Sequence, residues 1–149
     1  MRVLQIRSVV VALTFMLSAG RLGAECVPFP KNLKDAAALS ELVFSGTVTN
    51  SDDKFLVSFD IDRVWKGSLT RHTTLVVIAT SLEADHASFF KPGKTYVVFA
   101  YLKELVPEPG STEVPAGSPV VEISYCSPTA LVSDLGKRIK QLGRAKAPL

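Results

Sequence analysis

The sequence is short of the residues that build reactive centres. It holds two cysteines, two histidines and one tryptophan in 149 residues. That inventory lacks the ligand count and spacing of a zinc site. His72 and His86 share no helix or metal motif, and both read as solvent-exposed loop residues. No glycine-rich phosphate-binding loop occurs. Asp85-His86 beside Ser88 has the residue types of a hydrolase, but no nucleophile elbow and no glycine-based oxyanion element accompany it. Asp60 and Asp62 alternate onto the outer face of one strand, where nothing suggests the burial that would perturb their ionisation. No catalytic residue, metal or cofactor is assigned, and a non-enzymatic chain is expected.

A membrane-spanning helix is not expected either. The longest uncharged apolar run, Ser8 to Ala19, falls short of the roughly 20 residues a span requires. Arg2 and Arg7 precede that run, and small residues follow at Ser18, Ala19, Gly20, Gly23 and Ala24. Positive end, apolar stretch and small-residue end are the layout of a secretory signal peptide. Residues 1–24 are read as that signal, with cleavage after Ala24 and with Gly20 or Gly23 as alternatives. Glu25 argues against a lipoprotein, because a lipid-attachment cysteine directly follows a small residue. The mature protein is expected to be secreted or periplasmic, and residues 25–149 suffice for one domain with one core.

The signal changes the charge argument. The 17 Lys and Arg against 14 Asp and Glu include Arg2, Arg7 and Arg21, so without the signal the balance is 14 to 14. Nucleic acid is excluded as a partner because its binding needs clustered surplus positive charge. One basic cluster exists, at Lys137, Arg138, Lys140, Arg144 and Lys146, and reads as the solvated face of a terminal helix.

Two cysteines in an oxidising compartment pair naturally. Cys26 and Cys126 allow one intramolecular bridge, closing a loop of about 100 residues. The alternative is two separate thiols.

Along residues 25–149, Pro28 and Pro30 keep the chain extended after Cys26. Asn32 to Leu39 reads as a short helix capped by Asn32. Leu42 to Thr49 alternates as a strand with Leu42, Phe44 and Val48 on one face, and Gly46 on that face predicts a bulge or sharp bend. In Lys54 to Trp65, Phe55, Val57, Phe59, Ile61 and Trp65 share the inward face, with Arg63 breaking the series. Lys66-Gly67-Ser68 is a turn. Thr73 to Thr80 and Thr95 to Leu102 are continuous apolar strands, the second preceded by a Pro92-Gly93-Lys94 turn. Trp65, Tyr96 and Phe99 are core residues by default. Residues 103–118, rich in proline and glycine, form a long irregular connection. Pro119 to Cys126 is a fifth strand, with Val121, Ile123 and Tyr125 on one face and Cys126 on the other. Ser127-Pro128 opens a helix on which Leu131, Leu135, Ile139 and Leu142 line one side, weakened at Gly136 and ended at Gly143. Without βαβ alternation, a mainly β fold follows: a five-stranded antiparallel OB-fold-like barrel with a short N-terminal and a longer C-terminal helix.

The order cysteine, short helix, VFSGTV (Val43 to Val48), VWKG (Val64 to Gly67), F-x-x-G-K-x-Y-V-V-F-A (Phe90 to Ala100) and C-x-P-T (Cys126 to Thr129) resembles the netrin-like domain of the tissue inhibitor of metalloproteinases superfamily, in its short bacterial form. The resemblance covers nearly all of residues 25–149. It implies a five-stranded OB-type barrel flanked by helices, and a protein-binding role with a zinc metalloprotease as partner. Family members open with C-x-C, whose second cysteine bonds one near the end of the fifth strand. Here that pair corresponds to Cys26 and Cys126. Ala24 stands where the first cysteine would be, and its partner region, Ser81 to Phe90, has no cysteine. In animal inhibitors that first cysteine is the N-terminus, whose amine and carbonyl chelate the protease zinc. The expected contact edge is therefore Glu25, Cys26, Val27 and Pro28 with the adjacent barrel loops. A monomeric netrin-like binding module, with metalloendopeptidase inhibition as its candidate activity, is the leading expectation. A structural or cell-envelope interaction domain with no protease target is the alternative.

Overall fold

The computed structural model describes residues 31–52, 56–79, 89–104, 117–124 and 126–149. Helix α1 (Leu33–Leu39) forms at the alanine-rich run. Asn32 caps it as expected, its side-chain oxygen accepting the Asp35 N–H at 2.9 Å. At the other end Lys66 Nζ donates to Ala37 O and Ala38 O at 3.1 and 2.9 Å. A cation there satisfies carbonyls that a helix C-terminus leaves unpaired.

Five strands follow: β1 (Leu42–Ser51), β2 (Leu56–Lys66), β3 (His72–Ala79), β4 (Thr95–Lys103) and β5 (Val120–Ile123). They run in the order β1-β2-β3-β5-β4, and β1 also pairs with β4, so the sheet closes on itself. The fold is the expected mainly β, OB-fold-like barrel. The expectation of purely antiparallel strands needs correction. β3 and β5 are parallel, with Val76, Val77 and Ile78 opposite Val120, Val121 and Glu122. The reason is geometric: strands in a closed ring of odd number cannot alternate direction all the way round, so one pair must be parallel.

The register of β1 against β2 carries the bend foreseen at Gly46. Ser45 faces Arg63 but Gly46 faces Ile61, so Asp62 is an extra residue on β2. A Cβ on Gly46 would stand 3.0 Å from Asp60 O and 3.2 Å from Ile61 Cδ1. The bulge also corrects the inward series of β2. Val57, Phe59 and Ile61 point into the barrel, but the extra residue advances the phase by one. Val64 then turns inward and Trp65 outward. One residue of slip exchanges the two faces of a strand. The turn after β2 needs Gly67: its φ is +82°, and a Cβ would meet Leu42 Cδ1 at 2.6 Å.

The core has two layers. Inside the barrel lie Phe44, Phe59, Phe90, Tyr96, Val98 and their aliphatic neighbours. Outside it, Val43, Val97 and Phe99 of β1 and β4 pack against Leu33, Ala36 and Leu135. Both faces of β4 are thereby buried over much of its length, which explains its continuous apolar run. Tyr96 and Phe99 are core residues as expected, on opposite sides of the barrel wall, while Trp65 is only half-buried.

The C-terminal helix begins later than Ser127-Pro128. A two-residue strand, β6 (Ala130–Leu131), pairs with Tyr96 and Val97 of β4 first. Then come α2 (Val132–Leu135) and a 3-10 helix, Gly136–Leu142. Gly136, with φ +48°, interrupts the helical stretch, and Gly143, with φ +74°, stands at its end. Leu135 is buried beneath α1, while Ile139 and Leu142 pack beside it as the spacing predicted. Leu131 instead packs on the barrel interior.

Candidate functional site

β5 ends at Ile123, three residues before the end foreseen for that strand. The cause is a hydroxyl-rich corner that takes over the backbone groups. Ser124 Oγ accepts the Cys126 N–H at 3.1 Å, and Ser124 O accepts the Ser127 N–H at 2.8 Å. Local side-chain bonds of this kind compete with a strand ladder. Ser127 Oγ then donates to Thr129 Oγ1 at 2.7 Å and accepts the Thr129 N–H at 3.2 Å. Thr129 Oγ1 accepts the Phe99 N–H at 2.9 Å and lies 3.4 Å from Phe99 O. Strand pairing on this edge of β4 thus stops after Tyr101 with Glu122 and resumes at Val97 with Ala130. In the gap, one threonine side chain serves both backbone groups of Phe99.

This corner carries Cys126, and sequence reasoning missed its other members. The C-x-P-T spacing was the available signal, but the roles of Ser127 and Thr129 depend on Phe99, 30 residues away in sequence. Thr129→Val keeps the shape and leaves the Phe99 N–H without its acceptor. A loss of about 1–3 kcal/mol is expected in chemical denaturation, with Thr129→Ser recovering most of it. Equal stability of the valine variant would show that the corner does not hold the sheet edge.

Beside the corner runs a groove of about 290 Å³ lined by Asn32, Leu33, Pro128, Thr129, Asp134 and Arg138, among others. The residue that caps α1 and the residue two places after Cys126 therefore share one surface depression. The Leu33 N–H reaches across to Gln141 Oε1 at 3.1 Å, tying α1 to the C-terminal helices. Cys126 is half-buried, and no cysteine among the described residues is free. Of the expected contact edge, Glu25, Cys26, Val27 and Pro28 all lie outside the described residues, as does the signal segment 1–24.

The polar residues considered for chemistry are dispersed. Asp60 Oδ1 sits 3.3 Å from Arg71 Nε and 3.6 Å from His72 Nδ1, all at the surface. Asp62 pairs with Arg63 at 3.2 Å. Each carboxylate has its own cationic neighbour. His72 is exposed, as expected, but opens β3 rather than lying in a loop. Asp85, His86 and Ser88 lie outside the described residues. Lys103 is held above its ordinary pKa by its hydrogen bond and charge pairing with Glu122, an exposed structural contact between β4 and β5. A second depression, about 360 Å³, is lined by Leu69, Thr70, His72, Thr73, Pro119 and Leu149 among others. Two of its hydroxyls are engaged with each other and with backbone: Thr70 and Thr73 Oγ1 lie 2.9 Å apart, and Thr73 Oγ1 donates to Thr70 O at 2.8 Å. Among the described residues no three His, Cys, Asp or Glu side chains gather as a metal site, and no helix is long and apolar enough to cross a membrane.

No protein-family model matches this chain, and no curated protein sequence matches it.

Proposed function

We propose that this chain is an exported, non-enzymatic protein-binding module of netrin-like type. Residues 1–24 are its signal, and residues 25–149 form the single binding domain, acting as a monomer in a secreted or periplasmic setting. Glu25, Cys26, Val27 and Pro28 form the contact edge, held by a Cys26–Cys126 disulfide. A zinc metalloendopeptidase is the partner class the resemblance implies.

One observation carries this reading: the Cys126 corner and the N-terminus of α1 flank one groove. Asn32 lies six positions after Cys26, a reach of at most about 20 Å. That reach, together with the closeness of Pro128 and Asn32 along the groove, makes the bridge sterically reasonable. A bridged segment of that length would be short and conformationally restricted. Restriction before binding is what a contact edge needs, because ordering a loose segment on association costs affinity.

Two departures from the family shape the mode of binding. Ala24 occupies the place of the zinc-chelating cysteine, and the bridge that would hold such a terminus rigid has no cysteines. The edge therefore engages its partner through side chains and backbone rather than through a preorganised zinc-bound amine. The test is an inhibition titration of the exported, oxidised protein against a panel of zinc endopeptidases. Saturable inhibition at or below micromolar concentration, lost on changing Val27 and Pro28 to glycine, is expected. No inhibition of any panel member at that concentration removes the protease as partner and leaves the envelope-interaction alternative.

A further inference from the structure

Residues 25–149 are formally neutral, yet the described residues gather a surplus of positive charge in one part of the fold. α1, β6, α2 and the 3-10 helix all lie on one wall of the barrel, over Val43, Val97, Phe99 and Trp65, and the tail after them runs beside β2. Residues 31–39 and 130–149 together carry seven Lys and Arg against Asp35 and Asp134, a surplus of five. The remainder of residues 25–149 carries the matching deficit. The tail is pinned in this layer rather than left loose. The Lys146 N–H donates to Val64 O at 2.8 Å and Lys146 O accepts the Val64 N–H at 3.0 Å. Trp65 Nε1 donates to Gly143 O at 3.2 Å.

The basic side chains of this layer are available. Lys34, Lys137, Arg138, Lys140, Arg144 and Lys146 are all exposed. The ion pairs among the described residues use Arg63, Arg71, His72 and Lys103 instead. Five unpaired cations over residues 137–146, with no acid in that stretch, lower the cost of approaching a negative surface and raise the cost of leaving it.

We propose that this helical layer docks on an anionic phospholipid surface. Several observations favour a bilayer over nucleic acid. The cations are exposed on α1, the 3-10 helix and the tail rather than along one element, which suits a plane of phosphates better than a single path. A single-strand path would pair a basic groove with exposed stacking rings. Trp65, the aromatic beside these cations, packs against the apolar layer and uses its indole N–H internally. Leu39, 55% exposed at the end of α1, adds an apolar contact of the kind that enters the headgroup boundary.

The test uses the whole exported, oxidised protein with phosphatidylcholine vesicles, with and without phosphatidylglycerol, in a sedimentation assay. Binding is expected only with the anionic lipid, and is expected to weaken as salt rises. Each basic residue near such a surface contributes about fivefold, so the triple variant K137Q/R138Q/K140Q is expected to lose about a hundredfold. The paired variant K91Q/K94Q, exposed in the turn before β4 and outside the layer, is expected to bind as the parent does. Equal loss in both variants, equal binding to neutral vesicles, or binding to a soluble polyanion such as heparin without vesicle binding would each overturn the proposal. All the substituted side chains are exposed and outside the ion pairs above, and circular dichroism of each variant separates lost binding from lost fold.

Discussion

Phe59→Ala is expected to cost about 3–5 kcal/mol, enough to unfold a large share of molecules near physiological temperature. Phe59 is 1% exposed and stands in the middle of an aromatic series inside the barrel. Its ring meets Phe44 edge-on at 5.3 Å and Phe90 at 5.4 Å. Phe90 in turn meets Tyr96 at 5.0 Å. These four rings come from β1, β2, the segment before β4, and β4 itself, so one truncation loosens contacts that join three parts of the wall. Close packing leaves the neighbours little freedom to fill the space, so a cavity term adds to the lost transfer energy. Tyr96 cannot follow easily, because its hydroxyl donates to Phe89 O and accepts the Lys91 N–H, both at 3.0 Å. Urea denaturation followed by tryptophan fluorescence would measure the loss, Trp65 reporting from the outer layer. Phe59→Leu should recover more than half of it. A Phe59→Ala cost below about 1 kcal/mol would mean the barrel interior is not the close-packed unit described.

Cys126→Ser is expected to cost about 4–5 kcal/mol in oxidised protein, through loss of the proposed bridge to Cys26. Most of that acts on the unfolded chain, because opening a loop of about 100 residues returns entropy that the bridge removes. Serine at 126 keeps the backbone N–H bond to Ser124 Oγ, so the corner itself should persist. The measurement compares denaturation of the parent protein with and without reductant, and of the variant under both conditions. Reductant should destabilise the parent to the level of the variant and leave the variant unchanged. Intact-mass analysis of exported material should show the two-hydrogen deficit of one disulfide. It should also locate the N-terminus after Ala24, or at one of the two alternative sites. A parent protein indifferent to reductant, or one with two free thiols, would remove the bridge, and with it the restraint on the contact edge.

Much of the barrel was legible because its information is local. The Asn32 cap, the Pro92-Gly93-Lys94 turn and the alternation of Leu42, Phe44 and Val48 depend on neighbours a few residues away. Each survives in the structure: Gly93 takes φ +78°, and its N–H donates to Val48 O at 2.8 Å. The candidate site was less legible. Cys126 was marked by counting cysteines, but the Ser124–Thr129 corner exists because Phe99 offers two backbone groups where β5 has ended. Nothing within six residues of Thr129 announces that demand. Ser127-Pro128 resembles a helix start for good local reasons, since serine caps helices and proline fits their first turn. The serine hydroxyl instead bonds Thr129, whose own hydroxyl is held at Phe99, and the helix begins at Val132.

By itself, then, the sequence determined a β-rich chain, the strand positions to within a few residues, the capped first helix, three of the four apolar positions of the C-terminal helical stretch and the neutral balance of residues 25–149. These follow from periodicity, turn chemistry and composition, which are properties of neighbours along the chain. Only the tertiary structure decided the parallel pairing of β3 with β5, the exchange of Trp65 for Val64 in the barrel and the threonine that closes the edge of β4. Each of these is settled by partners far apart in sequence. Ring closure with five strands forces one parallel pair, a bulge opposite Gly46 turns Val64 inward and Trp65 outward, and a buried N–H left by a short strand must find an acceptor wherever the fold supplies one.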